Sequence, residues 1–492
     1  MRLLVGFAAG LAAAAAYSVL QRVRCRRSAV PTAKDVAAIR ATFRRVSARP
    51  NHGALGCIPP ATHTKRGTLH TWNGGAERML VVGGACSEIF GGPHLAKMLR
   101  PGLEYEAAVL AKVERGEPAA PLVQHTSTSL PPQLADFVEA LEAQLPAFVR
   151  QADDWAVSLQ VEGASAVSAA VEVLLQLQAA RGNLERVGIA VADRSYHGPP
   201  STSLGVPAKP LPPALSAAKP PQIVYPAPTP FSCTSDADVA ALRAAWKGFF
   251  AQHGKGLGVV VVEPQWGSSC AAATWPKELL KEFIGLAHAA GALVVSDEVM
   301  CGLARHGEGG GKCFLSDAWG LQPDCLTFGK AVATGMFPLA GAIITRGAAA
   351  LGADGRSVAQ SHTYAASSPR ALMAATLVLN SLAEFAPKVA SSGAILGEEL
   401  MKAEAASKGK LKSHGHGLMR GLLLERSLTG DARATAAASF KKHCLAAGVA
   451  PYFIPAGGAM FTPPYDVPEE QLREAGVKMC EAIRNVASEL GW

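Results

Sequence analysis

The stretch "GALVVSDEVMCGLARHG" (291–307) carries an apolar, strand-like run from Ala292 to Val295 and stops abruptly on Ser296, Asp297 and Glu298. Two physical reasons can end such a run on acids. Either the chain turns into water there, or a carboxylate is aimed at a positive charge. Two further apolar runs end in the same way: "LGVVVVEP" (257–264) on Glu263, and "DCLTFG" (324–329) on Lys330, the next residue. Ligands of open α/β sheets collect beyond the carboxyl ends of strands. Glu263, Asp297 and Lys330 all stand at that place in the pattern.

Taken singly, each has a plain structural reading. Asp297 would be a loop or helix-capping acid, Lys330 a solvated lysine, and Glu263 a brace for its strand end. Together, an amine and an acid from strand ends suit pyridoxal phosphate: the lysine forms a Schiff base and the acid pairs with the pyridine nitrogen. The ring withdraws electrons only while that nitrogen stays protonated, and a buried carboxylate beside it favours the proton. The lysine must be neutral to attack, and a desolvated site beside other cations favours that form.

Four stretches, "VVVVEPQWG", "LVVSDEV", "LTFGKAVATGMFPLAGAI" and "SHTYAASSPRALMAA", together resemble the class III aminotransferases of the fold type I pyridoxal-phosphate superfamily, near its glutamate-1-semialdehyde aminomutase-like branch. The likeness runs from about 120 to 480, with the motifs in family order. It implies an α/β fold: a large domain with a mainly parallel central sheet, plus a smaller α+β domain. It implies Lys330 as the Schiff-base lysine and Asp297 as the pyridinium partner. Val299 and Tyr196 (in "DRSYHG") would cover the two faces of the ring. The helix start at Gly163 and Ala164 would cradle the phosphate with backbone N–H groups. Thr363 would reach the phosphate of a neighbouring subunit's site, which implies a homodimer. Glu263 is the candidate for substrate contact, and His197, His362 and His414 are taken as structural.

The departures from the family are informative. Glu162-Gly163-Ala164-Ser165-Ala166 stands where members read Ser-Gly-Ser/Thr-Glu-Ala, so one hydroxyl is lost, and Glu162 would repel a phosphate unless it points away. Trp266-Gly267-Ser268 replaces a "QGE" glutamate, Met460 or a neighbour replaces an arginine before "PPY", and His414 replaces the arginine of "RGxGLM". In relatives that carry them, that glutamate and the arginine before the prolines form a switchable pair that handles an α-carboxylate. The expected activity is transfer of an amino group from an amino acid or ω-amine to a 2-keto acid. Two alternatives stay open: an intramolecular aminomutase of the glutamate-1-semialdehyde type, and a catalytically silent, membrane-tethered scaffold of the same fold.

Around these residues the chain alternates strand and helix signals. "WAVSLQV" (155–161), "RVGIAVAD" (186–193) and "PLAGAIITR" (338–346) add strands. Helical periods run over 165–182, 236–254 and 275–291, two of them ending on Gly182 and Gly291. Continuous apolar strands between helices signal a mainly parallel sheet covered on both faces. Residues 199–230 hold eleven prolines and read as an irregular excursion. After 370 come "SSPRALMAATLVLNSLAEFA" and "GAILGEELMKAEAASKG", two long helical stretches, and a terminal helix over "PEEQLREAGVKMCEAIRNVASEL". The domain expectation is 1–30 as a targeting or anchor segment, 31–120 as the N-terminal part of the small domain, 121–370 as the large domain, and 371–492 as the rest of the small domain.

At 492 residues, 49% apolar and 17% charged, the chain can bury a large core and is not a disordered one. Its net charge of +8 sits in the first 50 residues, with no basic stripe interleaved with aromatics, which argues against nucleic-acid binding. The ten cysteines form no CxxC pair or zinc-spaced cluster, so neither a metal site nor a disulfide framework is expected. Residues 3–20 are uncharged and alanine-rich, followed by "QRVRCRR". They read equally as a membrane signal anchor or as an organelle-targeting segment for mitochondrion or plastid, with a plain helical extension third. The catalytic body is expected to be soluble.

Overall fold

A computed structural model describes residues 63–65, 69–72, 77–84, 86–121, 130–192, 194–198, 222–228, 233, 235–351, 363–366, 368–425, 427–454 and 457–492. The N-terminal stretch 3–20 and His362 lie outside them. The chain divides into two units, Met1–Thr64 with His70–Arg78, and Lys65–Leu69 with Met79–Trp492. The second unit holds everything below.

The valine-rich runs form strands because β-branched side chains pack well on a pleated surface. The elements that position the site are β1 (Ala156–Gln160), α1 (Gly163–Ala180), β2 (Gly188–Ala192), β3 (Gln222–Tyr225), α2 (Asp236–His253), β4 (Leu257–Val262), α3 (Lys277–Ala289), β5 (Leu293–Asp297), β6 (Cys325–Phe328), β7 (Ala340–Ile344) and α4 (Pro369–Ala406). Their seven-stranded sheet has the order β1-β7-β6-β5-β4-β2-β3. β4, β5 and β6 are parallel neighbours, as are β2 with β4 and β3 with β2. β7 runs antiparallel to both β1 and β6. Alternate residues of β4 face opposite ways. Val259 and Val261 join Val167, Val171 and Leu174 of α1 in one core cluster. Val260 and Val262 join Trp246 of α2 and Phe283 of α3 in another.

Two expectations are corrected. The proline-rich stretch 199–230 is not wholly irregular, because Gln222–Tyr225 is a strand at the sheet edge. An edge position tolerates the flanking prolines, whose missing N–H groups would break an inner ladder. The two helical stretches after 370 form one helix of 38 residues, with Pro387 inside it. Burial of one long face, from Leu372 through Val378, Leu382 and Val389 to Leu400, outweighs the lost backbone hydrogen bond.

Arg305 ties distant segments together. It is buried, and its guanidinium donates to the carbonyls of Leu418 (3.3 Å), Pro463 (2.9 Å) and Glu88 (2.5 Å), with the Tyr465 ring 4.9 Å away. Arg305→Met leaves these carbonyls without their donor and is expected to lower stability by about 3 kcal/mol. Urea unfolding of the two proteins measures this, and equal midpoints would contradict the clamp.

Candidate functional site

The registers bring the three strand ends together. Val262 of β4 lies beside Ser296 of β5, and Asp297 beside Thr327 of β6. Lys330 follows within one turn. The two adjacent acids then part, because successive side chains of an extended chain point opposite ways. Glu298 turns into the protein. Its Oε1 accepts the Ser316 N–H (3.0 Å) and the Ser296 hydroxyl (3.2 Å), and its Oε2 accepts the Leu315 N–H, capping the short helix Leu315–Trp319. Burial pushes its carboxyl up to about 7 against those hydrogen bonds. A raised folded value means that Glu298 stabilises the fold below its unfolded value near 4.5 and loses that contribution as pH rises through about 7. The fall in Tm between pH 5 and 8 is therefore expected to be shallower in Glu298→Gln. An unchanged slope would remove Glu298 as its source.

Asp297 turns the other way, into a cavity of about 910 Å³. Its Oδ1 accepts the Val299 N–H (3.2 Å) and the Thr327 hydroxyl (3.2 Å). Its Oδ2 lies 2.8 Å from Nδ1 of His197, a ring that is itself fully buried. Burial pulls the imidazole's pKa down. The hydrogen bond to Asp297 and the charges of Asp297 and Glu263 outweigh this and leave it above its ordinary value. Glu263 lines the same cavity, yet each of its oxygens accepts a backbone N–H, from Tyr196 (3.1 Å) and Gly267 (3.0 Å).

Lys330 lines the cavity from the turn after β6. Its φ is +49° and that of Thr334, at the end of the same turn, is +63°. Left-handed backbone at such residues is sparsely populated and persists where the surroundings enforce it, often at functional sites. Among the described lining residues, Lys330 is the one lysine or arginine.

The third wall is the start of α1. Gly163 and Ala164 begin the helix and line the cavity, with their first-turn N–H groups free of intrahelical partners. A Cβ on Gly163 would lie 2.5 Å from Val299 Cγ1, so only glycine lets the helix end approach that side chain. Glu162 lines the rim but is exposed, and its backbone N–H donates to Ser165 Oγ (3.3 Å).

Seven of the sequence-derived residues thus share one cavity: Gly163, Ala164, Tyr196, Glu263, Asp297, Val299 and Lys330. Thr363 is exposed and does not line it, whereas its neighbour Tyr364 does. His197, read as structural, lines it and grips Asp297. Its position beside Tyr196 was the available signal. Ser87, Met300, Met336, Phe337 and Leu339 also line the cavity; the last three lie in the "LTFGKAVATGMFPLAGAI" motif, but none of the five was given a role from sequence. At the positions of the missing switch pair, Ser268 is half-buried and Met460 is buried in an apolar cluster. Burial pulls His414 down to about 4, so it is neutral near pH 7.

The family model described as "Aminotransferase class-III" matches residues 119–483. A 5-aminovalerate aminotransferase of Pseudomonas putida is 29% identical over 186 residues, or 37% of this chain and 40% of the relative. The chain thus spans about 40% of the length of that curated relative. A thermostable (S)-enantioselective omega-transaminase from Thermomicrobium roseum is similar in structure, with a TM-score of 0.74, 21% identity, and coverage of 93% of this chain and 98% of that one. An omega transaminase from Pseudomonas jessenii in complex with PMP gives a TM-score of 0.72 at 16% identity, over 88% and 94% of the two chains.

Proposed function

The chain belongs to the class III aminotransferases, and on that premise we propose that it is a pyridoxal-phosphate-dependent aminotransferase, passing an amino group from an amine donor to a keto acid. The observation that carries this reading is the meeting of Lys330, Asp297 and the start of α1 in one cavity.

The site fits the cofactor by volume and by donor set. About 910 Å³ lies within the ~300–1,000 Å³ range of small-molecule sites. Asp297 would hold the ring nitrogen, Lys330 the aldehyde carbon, and the Gly163 and Ala164 N–H groups the phosphate, with Val299 and Tyr196 against the ring faces. The cofactor, when bound, supplies an electron sink for negative charge on the substrate's reacting carbon. Lys330 Nζ would take the proton from that carbon and deliver it to the carbon on the other side of the transferred nitrogen, as general base and then acid. Asp297, oriented by Val299 N, Thr327 Oγ1 and His197 Nδ1, holds the ring-nitrogen proton in place. Ser268 and Met460, at the switch-pair positions, supply neither the acid nor the arginine, which favours donors that present their amine on a methylene carbon.

The test is reconstitution of the full chain with pyridoxal phosphate, followed by addition of amines one at a time. Expected are Schiff-base absorbance that stays with the protein after free cofactor is removed, bleaching by an ω-amine, and return of the absorbance with a stoichiometric keto acid. Absorbance that never appears would end the proposal; turnover with no keto acid would favour the aminomutase.

A homodimer is part of the same reading. Met336 and Tyr364, 58% and 69% exposed, leave apolar surface at the cavity rim beside exposed Thr363. A second copy docking there would close the rim and bring Thr363 to its neighbour's phosphate. Thr363→Ala is expected to weaken cofactor binding about tenfold, through loss of one hydrogen bond to a charged group, while light scattering still gives a dimer. A monomer in wild-type protein would contradict this.

A further inference from the structure

Glu263 is a buried acid in the cavity wall that the chemistry above does not use. Both of its oxygens are occupied by backbone, through Tyr196 N–H at 3.1 Å and Gly267 N–H at 3.0 Å. It is therefore poorly placed to take a substrate group. One of those donors belongs to the residue just before His197, whose Nδ1 lies 2.8 Å from Asp297 Oδ2. Nε2 of His197 is buried with no hydrogen-bond partner among the described residues. The imidazole is thus located by Asp297 on one side and by its own backbone on the other.

We propose that Glu263 is a positioning residue for Asp297, anchoring the Tyr196–His197 segment so that the His197 ring stays locked on the Asp297 carboxylate. This deepens the aminotransferase reading and rests on it. The anchor also carries charge. Facing Glu263 are His197 from the segment after β2, Asp297 from β5 and Cys301 from the turn that follows, with Lys330 in the same cavity. One imidazole cannot neutralise two carboxylates. Burial drives Glu263 up to about 7, His197 works against this, and Asp297 adds to it. A cationic ring arriving at Asp297 removes that last repulsion and favours release of the proton from Glu263. By linkage, such a ring binds more tightly above pH 7 than below it.

The probe is pyridoxamine 5′-phosphate, which has the ring and phosphate but no aldehyde for Lys330. Its Kd is measured by calorimetry on the full chain from pH 5.5 to 8.5, and amide exchange is measured on ligand-free protein. Glu263→Gln keeps the shape but can accept only one of the two N–H groups and carries no charge. It is expected to bind the probe about tenfold more weakly at pH 8, to lose the part of the pH dependence that wild type shows beyond the probe's own phosphate titration, and to exchange the Tyr196 amide faster. Unchanged affinity and pH curve would overturn the proposal. So would weakened binding with unchanged amide exchange, since Glu263 would then touch the ligand itself. If Glu263→Gln does not fold, His197→Gln cuts the link at its other end: about tenfold weaker binding supports the lock, and unchanged binding overturns it. If wild type does not bind the probe at all, the aminotransferase reading fails, while amide exchange still decides whether Glu263 braces the segment.

Discussion

Lys330→Ala is expected to yield a folded protein that shows no lysine Schiff-base absorbance with pyridoxal phosphate and transfers amino groups at least about 10⁴-fold more slowly than wild type. The size follows from what one side chain does. In the proposed reaction its amine is both the attachment point for the cofactor and the proton carrier between the two carbons that flank the transferred nitrogen, and general acid–base catalysis alone is worth about 10²–10⁴-fold. Four decades correspond to about 5 kcal/mol of barrier. The fold should survive, since Lys330 lies at the cavity wall and no hydrogen bond or ion pair of its side chain ties it to other described residues. The left-handed turn at φ +49° is no more strained in the variant, since alanine and lysine carry the same Cβ. Single-turnover bleaching with the best donor, together with circular dichroism, checks both halves. A variant within tenfold of wild type would mean that another base moves the proton.

Asp297→Asn is expected to cost about 10³-fold, or about 4 kcal/mol, in the same half-reaction. The change keeps the shape and removes the charge. It also disturbs the surroundings, because the carboxylate oxygens accept from Val299 N–H, the Thr327 hydroxyl and His197, and an amide nitrogen can accept from none of them. If the amide oxygen keeps the Val299 and Thr327 donors, the amide nitrogen faces the His197 ring and forces the opposite tautomer. Cofactor binding should weaken less than turnover does, since the phosphate cradle proposed at Gly163 and Ala164 is untouched. Equal losses in binding and in rate would instead assign Asp297 a purely anchoring part.

The central sheet was legible because each inner strand is a continuous apolar run, and such runs record burial on two faces. Strand direction was not, since apolar spacing is the same in either sense, and nothing in "PLAGAIITR" marks β7 as the reversed strand. Gln222–Tyr225 was hidden by prolines that act only on its ends. Pro387 split a helix on paper that tertiary burial keeps whole. At the site, Asp297 and Lys330 were legible from their strand ends and motifs. The grip of His197 on Asp297 joins residues far apart in sequence, and no local pattern encodes such a pair. The inward turn of Glu298 depends on where the helix Leu315–Trp319 starts, which lies in a different stretch of the chain.

The proline hem around β3 has a consequence for the chain in crowded solution. Gln222–Tyr225 is the outermost described strand of its sheet, and a sheet edge is a template on which a second molecule can add a strand and seed insoluble assemblies. Pro220 and Pro221 before it, and Pro226 and Pro228 after it, offer no amide hydrogens with which a visiting strand could extend the match beyond four residues. Replacing those prolines with alanine would restore the amide hydrogens that such a match needs, and turbidity on storage is where the change would be seen.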